Sequence, residues 1–472
     1  ERSRCGTVLW DMVKIKVHSR SHDQYERQTS TAPSRVHVST DSEAHPFQRA
    51  REYTRALTAV KMERLFAKPF ICAMDDHRDG VYTLCNHPTK LSTFLSASID
   101  GEVKVWDIAQ QKCVSSVQAH DSWIAGLTCL NSDPSRFISV ARDGQAKMWR
   151  LPNMHDEKTQ GGLSVPHLLN TYETGDSLFG VSAHAKANTF AASNSRVLLF
   201  DVTRSEPVAE MSYGSDAMYN SGWGALSFNP AETSMLAAAG REKGMVMFDT
   251  RVAESTARLT LTTKVNNLSW NPHRPMEIAL ACDGGEVMQF DARKLDTALR
   301  VQHGHVLAVM DVQWAPTGRE LCTAGYDSTI RIFGGKSGKS RDTYHTKRMQ
   351  RVQCVRWTQD ARFIVSGSDD GNVRVWKARA AEKLGAVSAR EQRAIAERRA
   401  LVEQYSHMPE VGRIRTQRRL PGYIQRRTTV GYEIRKSKVR KRERSRKNAR
   451  RESTKQARVP ERVKHIVKNT TD

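Results

Sequence analysis

The chain has 472 residues, enough for two or three average domains or for one large repeat domain with extensions. Its 74 Lys and Arg against 51 Asp and Glu give a net charge of +23, an excess that points to polyanionic partners. No apolar run approaches the roughly 18 to 20 residues of a membrane helix, no signal-peptide core opens the chain, and the eight cysteines form neither a C-x-x-C pair nor a zinc-spaced cluster. A membrane protein, a disulfide scaffold and a zinc module are therefore excluded, no cofactor or metal is expected, and a reducing compartment, the cytosol or the nucleus, fits.

The chain opens without a Met, and Met12-Val13-Lys14-Ile15-Lys16 reads as a native beginning, so residues 1–11 read as non-native. Residues 1–67 are expected to form an irregular N-terminal extension. Beyond them a strand-like pattern ending in an aromatic recurs, at Trp106, Trp149, Phe200, Phe248, Phe290, Phe333 and Trp376. The successive spacings are 43, 51, 48, 42, 43 and 43 residues, close to the roughly 40 to 45 residue period of a WD-repeat blade, with loop insertions in the two long ones. His77 precedes Trp106 by 29 residues and His120 precedes Trp149 by the same 29. An acidic turn falls six residues before the aromatic at Asp100, Asp143, Asp327 and Asp370, and between turn and aromatic Val103 and Val105 alternate with Glu102 and Lys104 as a strand requires. The expected fold is all-β, a seven-bladed WD-repeat propeller over 68–378. Its last blade takes its outer strand from Lys68–Met74, because a closed ring must protect its sheet edges.

His77, Asp100 and Trp106, His120, Asp143 and Trp149, and Asp370 and Trp376 are read as blade networks. A His/Ser/Asp set that recurs once per repeat is explained by architecture, so none is taken as a catalytic triad and no catalytic residue is assigned. Blades three to five lack the early His and end in Phe, so packing must replace the network there. The loop Gly334–Ser340 mimics a phosphate-binding loop but fails its spacing, and reads as a turn linking two blades. Phe248-Asp249-Thr250-Arg251 and Phe290-Asp291-Ala292-Arg293 resemble the W-D-x-R motif through which some WD-repeat proteins dock a cullin-RING ligase adaptor, which makes Arg251 and Arg293 candidate docking residues.

Past Trp376 the composition changes. Residues 377–472 hold 29 Lys and Arg against 10 Asp and Glu, a net of +19 out of +23. This stretch, taken from 379 as a separate basic domain, is expected to be mainly helical. A capping box at Ser388-Ala389-Arg390-Glu391 starts a helix that runs to about His407, with Pro409 ending it, and a second basic helix is expected from about Glu433 to Arg451. Twenty-one of the 52 residues from Arg413 to Lys464 are basic, a density that binds phosphate backbones by counterion release. The RNA-binding candidates are Arg413, Arg415, Arg418, Arg419, Arg426, Arg427, Arg435, Lys436, Lys438, Arg440, Lys441, Arg442, Arg444, Arg446 and Lys447. The run from Val439 to Lys447 also fits a nuclear-import address. Aromatics are too sparse there for a base-stacking platform, so shape and backbone recognition is expected.

The chain resembles the WD-repeat and SOF-domain protein family over nearly its whole length. The resemblance rests on His45-Pro46-Phe47, Arg51 to Leu57, Lys61 to Phe70, Tyr344 to Gln350, Tyr405-Ser406-His407-Met408-Pro409-Glu410, Arg419-Leu420-Pro421 and Lys464-His465-Ile466-Val467. Gly422 and Tyr423 depart from the basic and then aliphatic pair expected after Pro421. The resemblance implies a non-enzymatic scaffold of the small-subunit processome in the nucleolus, partnered by U3 small nucleolar RNA, pre-ribosomal RNA and other processome proteins, and serving 18S ribosomal RNA maturation. The alternative is a substrate receptor of a cullin-four ubiquitin ligase, carried by Arg251 and Arg293.

Overall fold

A computed structural model of the chain describes residues 47–152, 165–211, 222–240, 243–335, 338–417, 420–448 and 461–471. The start at Met12 and residues 1–11 lie outside them. Seven antiparallel sheets, each built mainly from consecutive strands, form the expected propeller. In blade one, Val81–Asn86 runs nearest the axis and Thr93–Ser98, Glu102–Asp107 and Lys112–Gln118 follow outward. Blade seven takes Val352–Trp357, Phe363–Ser368 and Val373–Lys377 from its own stretch, and its fourth strand is Phe70–Met74 from before blade one, with Phe70 opposite Trp376 and Met74 opposite Val373. The first and last blades are thus sewn together, and the shared core of Val81, Phe94, Trp106, Val365, Val373 and Val375 seals the seam.

The blade networks take three forms. In blade two, His120 Nδ1 meets Asp143 at 2.8 Å, its Nε2 meets Ser139 Oγ at 2.8 Å, and Trp149 Nε1 donates to the same hydroxyl at 3.1 Å. Blade six has an equivalent that the regular spacing did not reveal: His305 bonds Asp327 at 3.1 Å and Thr323 at 2.7 Å, although the blade ends in Phe333. Blade one corrects the expectation. His77 Nε2 and Trp106 Nε1 both reach Ser96 Oγ at 2.6 Å, but His77 Nδ1 stands 4.0 Å from Glu102, and Asp100 bonds Ser98 and the Glu102 amide within its own turn. Burial, with the nearby Lys104 charge, pushes the His77 pKa down to about 3, so the ring is neutral and needs no anion. In blade seven the role of histidine falls to Arg374, which pairs with Asp370 and donates to Ser368 at 2.7 Å, while Trp376 Nε1 donates to Ser366 at 2.9 Å.

Blades three to five rely on packing. Phe200, Phe248 and Phe290 are fully buried; Phe190 stacks on Phe200 at 5.1 Å, and Trp223 meets Phe248 edge-on at 5.8 Å. The Gly334–Ser340 loop joins Ile330–Gly334 to Ser340–Tyr344 within blade six, and does not link two blades as expected. Its Lys336 and Ser337 lie outside the described residues.

The extensions differ most from the sequence reading. Far from being irregular throughout, the N-terminal one contains an 18-residue helix, α1 (Gln48–Leu65). After the propeller come α2 (Ala389–Gln404), α3 (Pro409–Thr416) and α4 (Gly422–Asn448). Ser388 caps α2 by accepting the Glu391 amide at 3.3 Å, as the capping box predicts. α2 stops at Gln404, short of the expected His407, and Pro409, instead of ending it, opens α3 at its first turn, where its missing N–H has no cost. α4 starts 11 residues earlier than expected. Near the end of the chain, Ile466–Thr471 lies antiparallel along Glu254–Leu261, giving blade four a fifth strand. Among the described residues, no helix is long and apolar enough to cross a membrane.

Candidate nucleic-acid and partner interfaces

The two extensions form one helical unit. Ala56 and Val60 of α1, Val402 of α2, the adjoining Tyr405 and Val411 of α3 make a small shared core. Two reciprocal bonds clasp it: Tyr53 donates to Glu410 at 2.7 Å and Tyr405 donates to Glu52 at 2.8 Å. Both phenols are held above their ordinary range, chiefly by those carboxylates, and the bonds from Gln48 and Tyr405 hold the Glu52 carboxyl low. Arg64 ties the unit to the ring, with Nη1 3.0 Å from Asp342 in blade six and Nη2 donating to the Arg415 carbonyl at 2.5 Å.

α4 follows α3 in the chain. At 1.5 Å per residue its 27 residues span about 40 Å. Eleven are Lys or Arg and two are Glu. Ile424 is buried near its start, but the rest of its described length is almost wholly in solvent, including Tyr423, Val430, Tyr432, Ile434 and Val439. A helix that buries so little against its own chain and concentrates one sign of charge is a surface for something else.

The structure places Arg413 and Arg415 exposed in the last turn of α3. Arg426, Arg427, Arg435, Lys436, Lys438, Arg440, Lys441 and Arg444 are exposed on α4, and among the described residues none of these eight pairs with a carboxylate. Arg427 lies 4.9 Å over the Tyr423 ring and Lys436 6.0 Å over Tyr432, which directs two of the cations. Arg442, Arg446 and Lys447 belong to the same helix by backbone, whereas Arg418 and Arg419 lie outside the described residues.

The two Asp-x-Arg turns are near copies on adjacent blades. Arg251 chelates Asp249 at 3.1 and 2.7 Å, and Arg293 chelates Asp291 at 3.1 and 3.1 Å; both guanidiniums are mostly exposed. These pairs lower the Asp pKa values and raise those of the Arg, the side-chain bonds contributing most. Both turns follow the third strand of their blade, as the segment after Lys377 does in blade seven. The chain therefore leaves the ring for α2 on the face that presents Arg251 and Arg293.

Comparison with known proteins agrees with both halves. The Sof1-like domain family matches residues 378–466, and the WD domain, G-beta repeat family matches 69–107, 111–150, 296–334 and 338–377. The repeats matched are blades one, two, six and seven, those with polar networks. The chain is 39% identical to a Xenopus laevis protein named DDB1- and CUL4-associated factor 13, over 87% of this chain and 90% of that protein, and 37% identical to the Homo sapiens protein of the same name over the same shares. It is 34% identical to Protein SOF1 of Saccharomyces cerevisiae, over 91% of this chain and 90% of that protein.

Proposed function

The chain belongs to the family of WD-repeat proteins with a Sof1-like domain, and from that premise we propose that it is a non-enzymatic scaffold of small ribosomal subunit assembly in the nucleolus. In this reading α4 and the arginines at the end of α3 hold U3 and pre-ribosomal RNA, while the propeller offers its faces to other assembly proteins of the small-subunit processome. The observation that carries it is the exposed row of cations along α4, eight of which pair with no carboxylate among the described residues. The His/Ser/Thr/Asp sets do not compete with this reading, because each is consumed in holding one blade together.

Ultraviolet crosslinking of the tagged protein in cells tests it. Crosslinked peptides from 413–447 joined to U3 or pre-ribosomal RNA are expected; crosslinks confined to the propeller, or none above background, overturn it. A second reading, docking to a cullin-four ligase adaptor, is favoured by the duplicated Asp-x-Arg geometry and by the relatives whose name declares association with DDB1 and CUL4. It uses a different surface and is compatible with the first. Replacing Arg251 and Arg293 by Ala removes adaptor co-precipitation if it holds; unchanged recovery removes this reading.

A further inference from the structure

A cavity of about 220 Å³ opens between blades one and two and shares no lining residue with the central channel. Its apolar walls are Val105 and Val114 of blade one and Pro134, Leu151 and Pro152 of blade two. Leu151 and Pro152 follow the third strand of blade two, Gln145–Arg150, so the cavity lies toward the face that presents Arg251 and Arg293.

The pleat of blade one sets the polar lining. Thr93 lies two residues before Leu95 in the second strand and Ser115 two before Val117 in the fourth, and Leu95 and Val117 pack with Leu127, Phe137 and Trp149 of blade two. Ser115 also stands opposite Val105, one of the cavity walls. Alternation therefore turns both hydroxyls toward blade two and into the cavity. Thr93 is 3% exposed and Ser115 0%, yet neither hydroxyl has a partner among the described residues. Buried hydroxyls are normally bonded, so two orphans facing one cavity suit a polar occupant.

His87 and Lys90 complete the lining. His87 Nδ1 accepts the amides of Thr89 and Lys90 at 3.2 and 3.1 Å, and burial, with the nearby Lys90 charge, lowers its pKa. The neutral ring therefore carries its proton on Nε2, a donor that meets no acceptor among the described residues. Lys90 is exposed and pairs with no carboxylate among those residues, and no Asp or Glu lines the cavity.

We propose that this cavity binds a small organic carboxylate, its hydrocarbon body against Val105, Val114 and Leu151 and its oxygens taken by Thr93, Ser115 and Lys90. An ionised carboxylate only accepts, which matches a lining of donors, and charge-assisted bonds are the stronger kind. The volume lies below the roughly 300 to 1,000 Å³ of sites for drug-sized ligands, so the occupant is small. A phosphate monoester fits less well, because its second charge would meet a single lysine between apolar walls.

The test uses the full chain with hexanoate as probe, 1-hexanol as its uncharged counterpart and N-acetylleucine as a mimic of a protein chain end, titrated by saturation-transfer NMR. Hexanoate is expected to bind saturably with a dissociation constant on the order of 1 mM, more tightly than 1-hexanol. K90A and T93V/S115A are each expected to weaken hexanoate by roughly fivefold or more, with 1-hexanol binding unchanged in K90A. In T93V, where the replaced hydroxyl has no protein partner, the thermal midpoint is expected to hold or rise. No saturable hexanoate binding by the unaltered chain, 1-hexanol binding as tight as hexanoate, or parent affinity for hexanoate in either K90A or T93V/S115A overturns the proposal. Tighter binding of N-acetylleucine than of hexanoate also overturns it, by assigning the cavity to the end of a protein chain.

Discussion

The propeller and α4 solve opposite problems with their polar side chains. In the ring, the network residues of blades two and six are buried and matched inside their own blades, as His305 is with Asp327 and Thr323, so they hold structure. On α4, the cations among the described residues are exposed and meet no carboxylate there, and the helix draws little support from its own packing. Ile424 is the one buried side chain among the described residues of the helix. Charge that stabilises nothing in the free molecule is available to a partner.

The largest expected effect breaks the comparison on the α4 side. Changing Arg435, Lys436, Lys438, Arg440, Lys441 and Arg444 to Glu is expected to lower RNA affinity by roughly 10³-fold or more at 100 mM salt, read by filter binding, with the thermal midpoint of the propeller unchanged. On the other side, H305A leaves the buried Asp327 carboxylate without its main partner and is expected to cost about 3 kcal/mol in urea unfolding, with RNA affinity unchanged. An H305A variant as stable as the parent would show that the network is dispensable.

Acid sharpens the same contrast. Burial holds the His77 pKa near 3 in the folded chain, far below the roughly 6.5 of an unfolded histidine, so below about pH 6.5 the unfolded state takes up the proton that the native state refuses. For Asp327, burial favours the neutral acid, but His305, Thr329 and Arg331 outweigh it and hold the carboxyl low, so its contribution is present above the unfolded carboxyl pKa and is lost as pH falls through the folded one. The urea midpoint is therefore expected to fall from pH 7 to pH 5 through the histidines and again below pH 4 through the carboxylates. A midpoint flat from pH 7 to pH 5 contradicts the neutral buried His77. The smallest effect concerns the clasp: Y53F and Y405F each remove one hydrogen bond to a carboxylate and are expected to cost about 1 kcal/mol, read as increased amide exchange in α1 and α3 with no change in the blades.

The parts legible in the sequence are those that repeat. His77, His120 and the two tryptophans that follow them announce a period, and Ser388 with Glu391 announces a helix start, because each signal is local and strict. His305 escaped because Phe333 stands where tryptophan would have marked the register, although its distance of 28 residues was there to find. Asp100 was misassigned because residue type fixed the turn but not the partner, and the partner depends on how far His77 reaches. α1 begins after Phe47 with no side-chain cap, and its stripe of Ala56 and Val60 gains meaning only against Val402 and Val411, some 350 residues away, where local pattern has no reach. The C-terminal strand was hidden for the same reason, since its pairing partner is the outer edge of blade four. The basic candidates were visible as composition and a basic helix was legible from about Glu433, but the start of that helix at Gly422, which adds Arg426 and Arg427 to it, was not.

The salt dependence of RNA binding tests the central claim most directly. The affinity of the full chain and of the six-site α4 variant for a U3 RNA fragment would be measured from 50 to 300 mM KCl. If α4 is the RNA-holding surface, the logarithmic slope of the parent should be steep and the variant's should be shallower by about four, reflecting the lost phosphate contacts. Identical slopes and affinities would place RNA binding elsewhere and contradict the assignment of α4.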